Sequence, residues 1–408
     1  MSAIKERENS GNLSILIVFI QFLYVFLFVF KKILDIILTI VYCYINHKQQ
    51  LCQCRPMQGA GEKDCEVIYM KTNSLRLAQR LFIIALITIL FITFSFSEAF
   101  SSSGTLDVKS RSQREIAEFI KGHPTNMNFE DESYRITFET DPLLSGSYSA
   151  GALADREMLS ALNMINNIRY IAGLSSNVSL KESYNQLAQA ASIVSYANDS
   201  LSHTPARPSG MNKNLANKGI KGAGESNIAW ASWQDCSLEW TIITTWMADS
   251  NTRNISTVGH RRWILNPTMG KAGFGAVSGY NGTYSAMYIF DDSRNARMDY
   301  QVAWPAQNMP VSYFTPDSPW SISLGKVLNP KNITVTMTRV NDGQVWKFSS
   351  SGSNGEFFVN NNGYGQKGCI IFRPSGLTSY NDGDIFNVSI KGAGNEKIEY
   401  SVNFFEVK

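Results

Sequence analysis

Histidine is scarce in this chain. Four occur in 408 residues, and only His123, His203 and His260 follow residue 100. Cysteine thins out in the same direction, since Cys43, Cys52, Cys54 and Cys65 lie upstream and only Cys236 and Cys369 remain downstream. Cys52-Gln53-Cys54 is too tight for a zinc finger and has no histidine at the required spacing, so a structural zinc site is not expected. The two distant cysteines either pair or stay free thiols. An excess of one charge is also missing from most of the chain. Of 37 Lys+Arg and 34 Asp+Glu, 10 and 7 precede Phe100, which leaves 27 of each beyond it. A nucleic-acid binder draws most of its affinity from phosphate neutralisation and shows a basic excess, so that class is excluded. No Gly-x-Ser-x-Gly elbow, no His-Glu-x-x-His pair and no phosphate loop occurs. Gly219, Gly222 and Gly224 cluster loosely without a following lysine. Ordinary serine hydrolase, zincin and nucleotidase chemistries therefore find no support.

What is present is an ordinary globular composition, 44% apolar and 17% charged, in a chain long enough for two cores. Organisation begins with "MKTNSLRLAQRLFIIALITILFITFSFSEAF", Met70 to Phe100. A basic stretch (Lys71, Arg76, Arg80), an apolar run from Leu81 to Phe96 and the small residues of Ser97-Glu98-Ala99 follow one another as in a secretory signal, here assigned to 70–99. The run is marginal for a bilayer, which needs about 20 apolar residues. Upstream, Leu13 to Ile45 is predominantly apolar, interrupted by Lys31, Lys32 and Asp35. Residues 1–69 read either as a membrane anchor or, the favoured reading, as an over-extended gene model that is not made. Both alternatives place residues 100–408 outside the cytoplasm, secreted or tethered to the outer face of the membrane.

Residues 100–154 form a polar lead-in with one helix signal, the capping-box pair Ser112 and Glu115. His123, next to Pro124, reads as solvated. From residue 155 the pattern sharpens. Met158, Leu162, Ile165 and Ile168 recur at helical spacing and are closed by Gly173, and Leu180, Tyr184, Leu187, Ala191 and Val194 repeat the pattern. Asp235 is expected to cap a third helix with Leu238, Ile242 and Trp246 on one face. Strand-like runs follow at 271–277 and 284–291. Pro-punctuated segments at 302–310 and 315–319 read as a boundary. Beyond it six short β-rich runs predict an antiparallel sandwich. The expected organisation is thus a helix-then-strand α/β domain over 155–300 and an all-β sandwich over 301–408.

Chemistry has few candidates. His203 lies in "LSHTP", where the chain turns; Glu225, in "GAGESNIAW", follows a glycine run. Asp249 lies three residues past Trp246 and seven past Ile242, so it extends an apolar helix face. A buried carboxylate is costly unless it is paired. His260 follows Gly259 and precedes Arg261-Arg262, either of which could neutralise Asp249 as a plain salt bridge.

The motifs "LSHTP", "GAGESNIAW", "TTWMAD" and "VGHRRWILNP", in this order after "LNMINNIRYIAGL", resemble the CAP superfamily, the SCP-like domain of cysteine-rich secretory, antigen 5 and pathogenesis-related proteins, in its bacterial-type branch. The likeness covers roughly 155–295. It implies an α-β-α sandwich with a cleft lined by His203, Glu225, Asp249 and His260. The two histidines would be candidate ligands of a divalent cation, zinc or calcium. The other partner would be a small molecule, lipid, peptide or cell-wall component. Asp249 stands where a glutamate is usual, and the disulfides of eukaryotic members are missing. A secreted binding protein is the reading this favours. The alternative is a metal-dependent hydrolase with Glu225 or Asp249 as general base.

Overall fold

The computed structural model describes residues 106–127, 133–394 and 397–408, which belong to one compact unit. The apolar extension 1–69 and the signal-like segment 70–99 lie outside the described residues. Among those described, no helix is long and apolar enough to cross a membrane.

The capping box forms as its residues require. Ser112 Oγ accepts from the Glu115 amide and the Glu115 carboxylate accepts from the Ser112 amide, which starts α1, Gln113–Gly122. His123, expected in solvent, is half-buried instead: its ring stacks on Phe119 at 4.0 Å and its Nδ1 donates to the Phe119 carbonyl. A two-stranded ribbon, β1 (Phe138–Thr140) with β2 (Ala152–Leu153), leads into α2, Asp155–Ile171. Gly173 stops that helix at φ +79, a conformation that L side chains rarely adopt.

The first layered region is a sheet in the order β3 (Ser179–Leu180), β5 (Lys271–Gly279), β6 (Gly282–Tyr288), β4 (Ser226–Ala231). Strand alternation sends neighbouring residues to opposite faces. Ile228 and Ala286 pack on Ala188, Ala191 and Ala223, while Ala229, Ala276 and Met287 join Met158, Ile242 and Trp246 on the other side. The helices α3 (Glu182–Ala197) and α4 (Lys213–Gly224) therefore cover one face, and α2 with the helix that carries Trp246 covers the other. This is an α-β-α sandwich.

Two local expectations are corrected. The glycine cluster is not a loose run but the last turns of α4. A Cβ on Gly219 would stand 2.4 Å from the Ala190 carbonyl oxygen, and one on Gly222 would stand 2.1 Å from that of Leu187. The glycines let α3 and α4 touch backbone to backbone. Asp235 is also not the cap of the third helix: it sits at φ +56, and Ser237 Oγ accepts from the Trp240 amide. From there one α turn, α5 (Leu238–Trp240), widens into a π-helix over Thr241–Met247, where the Ala248 amide reaches the Ile243 carbonyl five residues back.

All six β-rich runs form strands: β10 (Thr334–Arg339), β11 (Val345–Ser349), β13 (Gly355–Asn360), β14 (Cys369–Pro374), β15 (Ile385–Lys391) and β16 (Ile398–Phe405). The segment read as a boundary adds β7 (Val302–Trp304), β8 (Asn308–Pro310) and β9 (Trp320–Ser323), and β12 is Gly352–Ser353. The two sheets run β12-β11-β10-β15-β16-β8 and β13-β14-β9-β7. Trp320 of one sheet lies 5.4 Å from Phe386 of the other, ring centre to ring centre, inside a cluster completed by Phe372, Tyr380 and Phe404. The core that holds these rings is continuous with the one that holds Ile165 and Trp246. Cys236 and Cys369 are both buried and unpaired. Burial pushes the Cys236 thiol up to about 12, so it stays protonated and inert at neutral pH.

Candidate functional site

The π-helix ends by delivering Asp249 into the interior. Ala248 is still helical, and Asp249 then turns to φ +46 with its side chain 0% exposed. The following loop closes at Val258, a β-branched residue at φ +42, ψ +46. That is a strained conformation for valine, held here by full burial. Gly259 then begins α6, Gly259–Ile264, whose second residue is His260. The loop thus starts and ends in the left-handed region, and its two ends meet: His260 Nδ1 donates to Asp249 Oδ1 at 2.7 Å, and the Arg261 amide donates to Oδ2 at 3.1 Å.

Asp249 is therefore paired with the histidine and not with either arginine side chain. Arg261, fully buried, donates to the carbonyls of Met247 (2.6 Å), Ala248 (2.9 Å) and Pro319 (2.6 Å) and to Ser321 Oγ (2.9 Å). Arg262 reaches Asn360 Oδ1 and the carbonyls of Thr257, Asn362 and Gln366. Both arginines fasten the site loop to the β-sandwich.

His203 occupies the turn after α3 and is exposed, with its Nδ1 2.8 Å from the Ala223 carbonyl oxygen. Glu225, half-buried, caps α4: its amide donates to the Gly222 carbonyl and its own carbonyl accepts from the Ile289 amide. Two residues further, Asn227 Nδ2 donates to the His260 carbonyl at 3.1 Å. One short stretch, 223 to 227, consequently touches His203 at one end and the His260 turn at the other. Fully extended it would span only about 14 Å.

Proton positions follow from the partners. A carbonyl or a carboxylate oxygen only accepts, so Nδ1 carries the hydrogen in both imidazoles, and in the neutral ring Nε2 is left as the lone-pair atom. Burial works against the charged form of His260, but the Asp249 carboxylate beside it prevails and raises the imidazole above its ordinary pKa. The side chain of His260 retains 16% exposure. Burial first, and the Glu225 charge second, push Tyr288 up to about 12; its ring stacks on Tyr184 at 3.8 Å. No ion pair or hydrogen bond engages the Glu225 carboxylate among the described residues. Nor do three His, Cys, Asp or Glu side chains converge as a metal-holding group there.

An aromatic wall beside the histidine has no counterpart among the sequence candidates. Trp263 lies one turn after His260, its ring centre 4.9 Å from that of Phe290 and 6.4 Å from that of Tyr364. Trp263 could have been found from its i+3 spacing to His260. Tyr364 could not, because it comes from a loop of the sandwich a hundred residues away.

Residues 162–290 match the family model of the CAP, or cysteine-rich secretory protein, family. The stretch contains His203, Glu225, Asp249, His260 and the whole sheet from β3 to β6. No curated protein sequence matches the chain.

Proposed function

Starting from a chain that carries a CAP domain, we propose that this is a ligand-binding protein of the cell exterior. Its cleft offers the Nε2 atoms of His203 and His260 and the carboxylate of Glu225 to a ligand or cell-envelope partner. The observation that carries the reading is the tied Nδ1 of each histidine, one to a carboxylate and one to a backbone carbonyl. Such outer partners fix the tautomer and ring orientation of histidines that bind something through the other nitrogen.

A divalent cation, zinc or calcium, suits two such imidazoles, with His203 and His260 as the holding residues. Zinc is the better match for nitrogen donors, and calcium prefers oxygen. Two imidazoles with no third protein ligand make for weak, exchangeable binding. Asp249 is fully buried, so its part is to orient His260 and support its basicity, while Glu225 is the acid left to face a ligand.

One observation favours a second reading, the metal-dependent hydrolase. The Glu225 carboxylate engages no partner among the described residues, which leaves it free to act as general base toward a water on a cation held by the two histidines. Calorimetric titration of zinc and calcium into the wild type, His203→Ala and His260→Ala tests the cation: uptake in the wild type and its loss in both variants is expected. Titrations that are the same in all three would remove it. Turnover of a peptide and ester panel that stops with chelator would move the conclusion to the hydrolase.

A further inference from the structure

We propose that Trp263, Phe290 and Tyr364 form a stacking platform at the rim of the His/acid cleft, and that the ligand it takes is an oligosaccharide. The inference rests on the cleft reading above and names its ligand class.

The platform is built from three separate elements. Trp263 comes from α6, Phe290 follows β6, and Tyr364 comes from the loop between β13 and β14. Phe290 is 47% exposed, and Trp263 and Tyr364 are half-buried, so each ring is backed by protein and keeps open surface. An exposed phenylalanine leaning on a tryptophan contributes little to a core that is already closed beneath it. The loop that presents Tyr364 is held firmly. Arg262 binds Asn360 at the end of β13 and Asn362 and Gln366 of that loop, and sets its guanidinium 5.1 Å from the Tyr364 ring centre. The tyrosine ring lies against Gly259, where an added Cβ would come within 3.2 Å of it. The residue preceding His260 thus makes room for an aromatic ring from the other half of the molecule.

The polar groups beside the platform select the ligand class. They include two acceptors, the Glu225 carboxylate, which is without a partner among the described residues, and the Nε2 lone pair of His203 in its neutral form, while His260, held toward its charged form by Asp249, donates as well. A ligand that satisfies the acceptors must bring hydrogen-bond donors, and because the Phe290 and Tyr364 ring planes are turned 57° and 87° from that of Trp263, one that stacks there must bring an apolar face no larger than a single ring. A pyranose combines the two, with C–H bonds on its faces and hydroxyl groups around its rim. A lipid tail supplies no donors. A cationic peptide supplies them, but the Arg262 guanidinium already lies against Tyr364 and opposes a second cation there.

Isothermal titration of chitotetraose and cellotetraose into the full chain, wild type, Tyr364→Ala, Tyr364→Phe and Trp263→Phe, makes the test, with thermal melts to confirm folding. Saturable binding of at least one oligosaccharide is expected. Loss of a stacking contact should weaken it about 2- to 10-fold in Tyr364→Ala, and Tyr364→Phe should restore it. Failure of both sugars to bind the wild type overturns the inference, as does binding that is equal in Tyr364→Ala, or binding of tetralysine in their place. The zinc titrations of the histidine variants separate the two levels. Cation uptake through His203 and His260 without sugar binding refutes the platform and leaves the cleft reading standing. Tyr364-dependent sugar binding with no cation uptake upholds the platform and removes the metal.

Discussion

Two buried acids show how differently a carboxylate can be accommodated. Asp249 has a partner on each oxygen, one an imidazole that its charge helps to protonate. Asp249→Asn should lower the pKa of His260, visible in an NMR titration of the ring, and should destabilise the fold, because the αL turn at 249 is held by those two bonds. The loss expected is about 1.5–3 kcal/mol by denaturant unfolding, in the range for weakening hydrogen bonds to a charged group. Glu239 is the opposite case. It is 1% exposed, Oε2 has no partner, and burial raises its pKa, with the Glu157 charge adding to the rise and the hydroxyls of Ser160 and Ser237 opposing it. A carboxyl raised on folding contributes stability that is fully present below its unfolded value of about 4.3 and lost as pH climbs through the folded value. Glu239→Gln should therefore stabilise the protein at pH 7, with the gain shrinking toward pH 4 in paired thermal melts. A variant no more stable than the wild type at pH 7 would mean that the charged form is better solvated than its surroundings suggest.

At the scale of elements, the contact between α3 and α4 places two of the candidate residues, because the end of α4 carries both the carbonyl that His203 donates to and Glu225 itself. Alanine normally stabilises a helix by about 1 kcal/mol over glycine. Gly222→Ala should do the reverse, because its Cβ would meet the Leu187 carbonyl oxygen at 2.1 Å, backbone that cannot rotate away. A loss of about 2–3 kcal/mol in urea unfolding is expected, the size of an overpacked core site. This helix was also the least legible in the sequence. Its apolar residues are few, and its glycines read as a loop signal until the neighbouring helix is in place to explain them. The helix at 155–171 was legible because its apolar residues repeat with a period near 3.6, and the six strand runs because β-rich stretches alternate with Gly, Asn, Asp and Ser turn residues. The burial of Asp249 was legible from the same periodicity, although the chain turns out of the helix there and a π-helix precedes it. Its partner was not, since spacing alone offered His260, Arg261 and Arg262 equally.

The whole molecule explains what the arginine pair is for. The apolar core runs without a break from the α-β-α region into the sandwich. Arg261 spends two of its four hydrogen bonds on Pro319 and Ser321, and Arg262 three of its four on the 360–366 loop. Arg373 of β14 returns the connection by donating to the Ser250 carbonyl, inside the loop that joins Asp249 to His260. Removing everything after residue 300 would leave the Arg261 guanidinium without two acceptors while its other bonds keep it inside, and would uncover the apolar residues beneath. Stranding a buried charge costs about 3–5 kcal/mol, a large part of the 5–15 kcal/mol that holds a typical domain together. A chain ending at residue 300 should therefore be rapidly cleaved by thermolysin and lack a cooperative thermal transition. Residues 100–408 should unfold in one calorimetric step. Two resolved steps, or a truncated chain that melts cooperatively near the temperature of the longer one, would show that the halves are energetically independent.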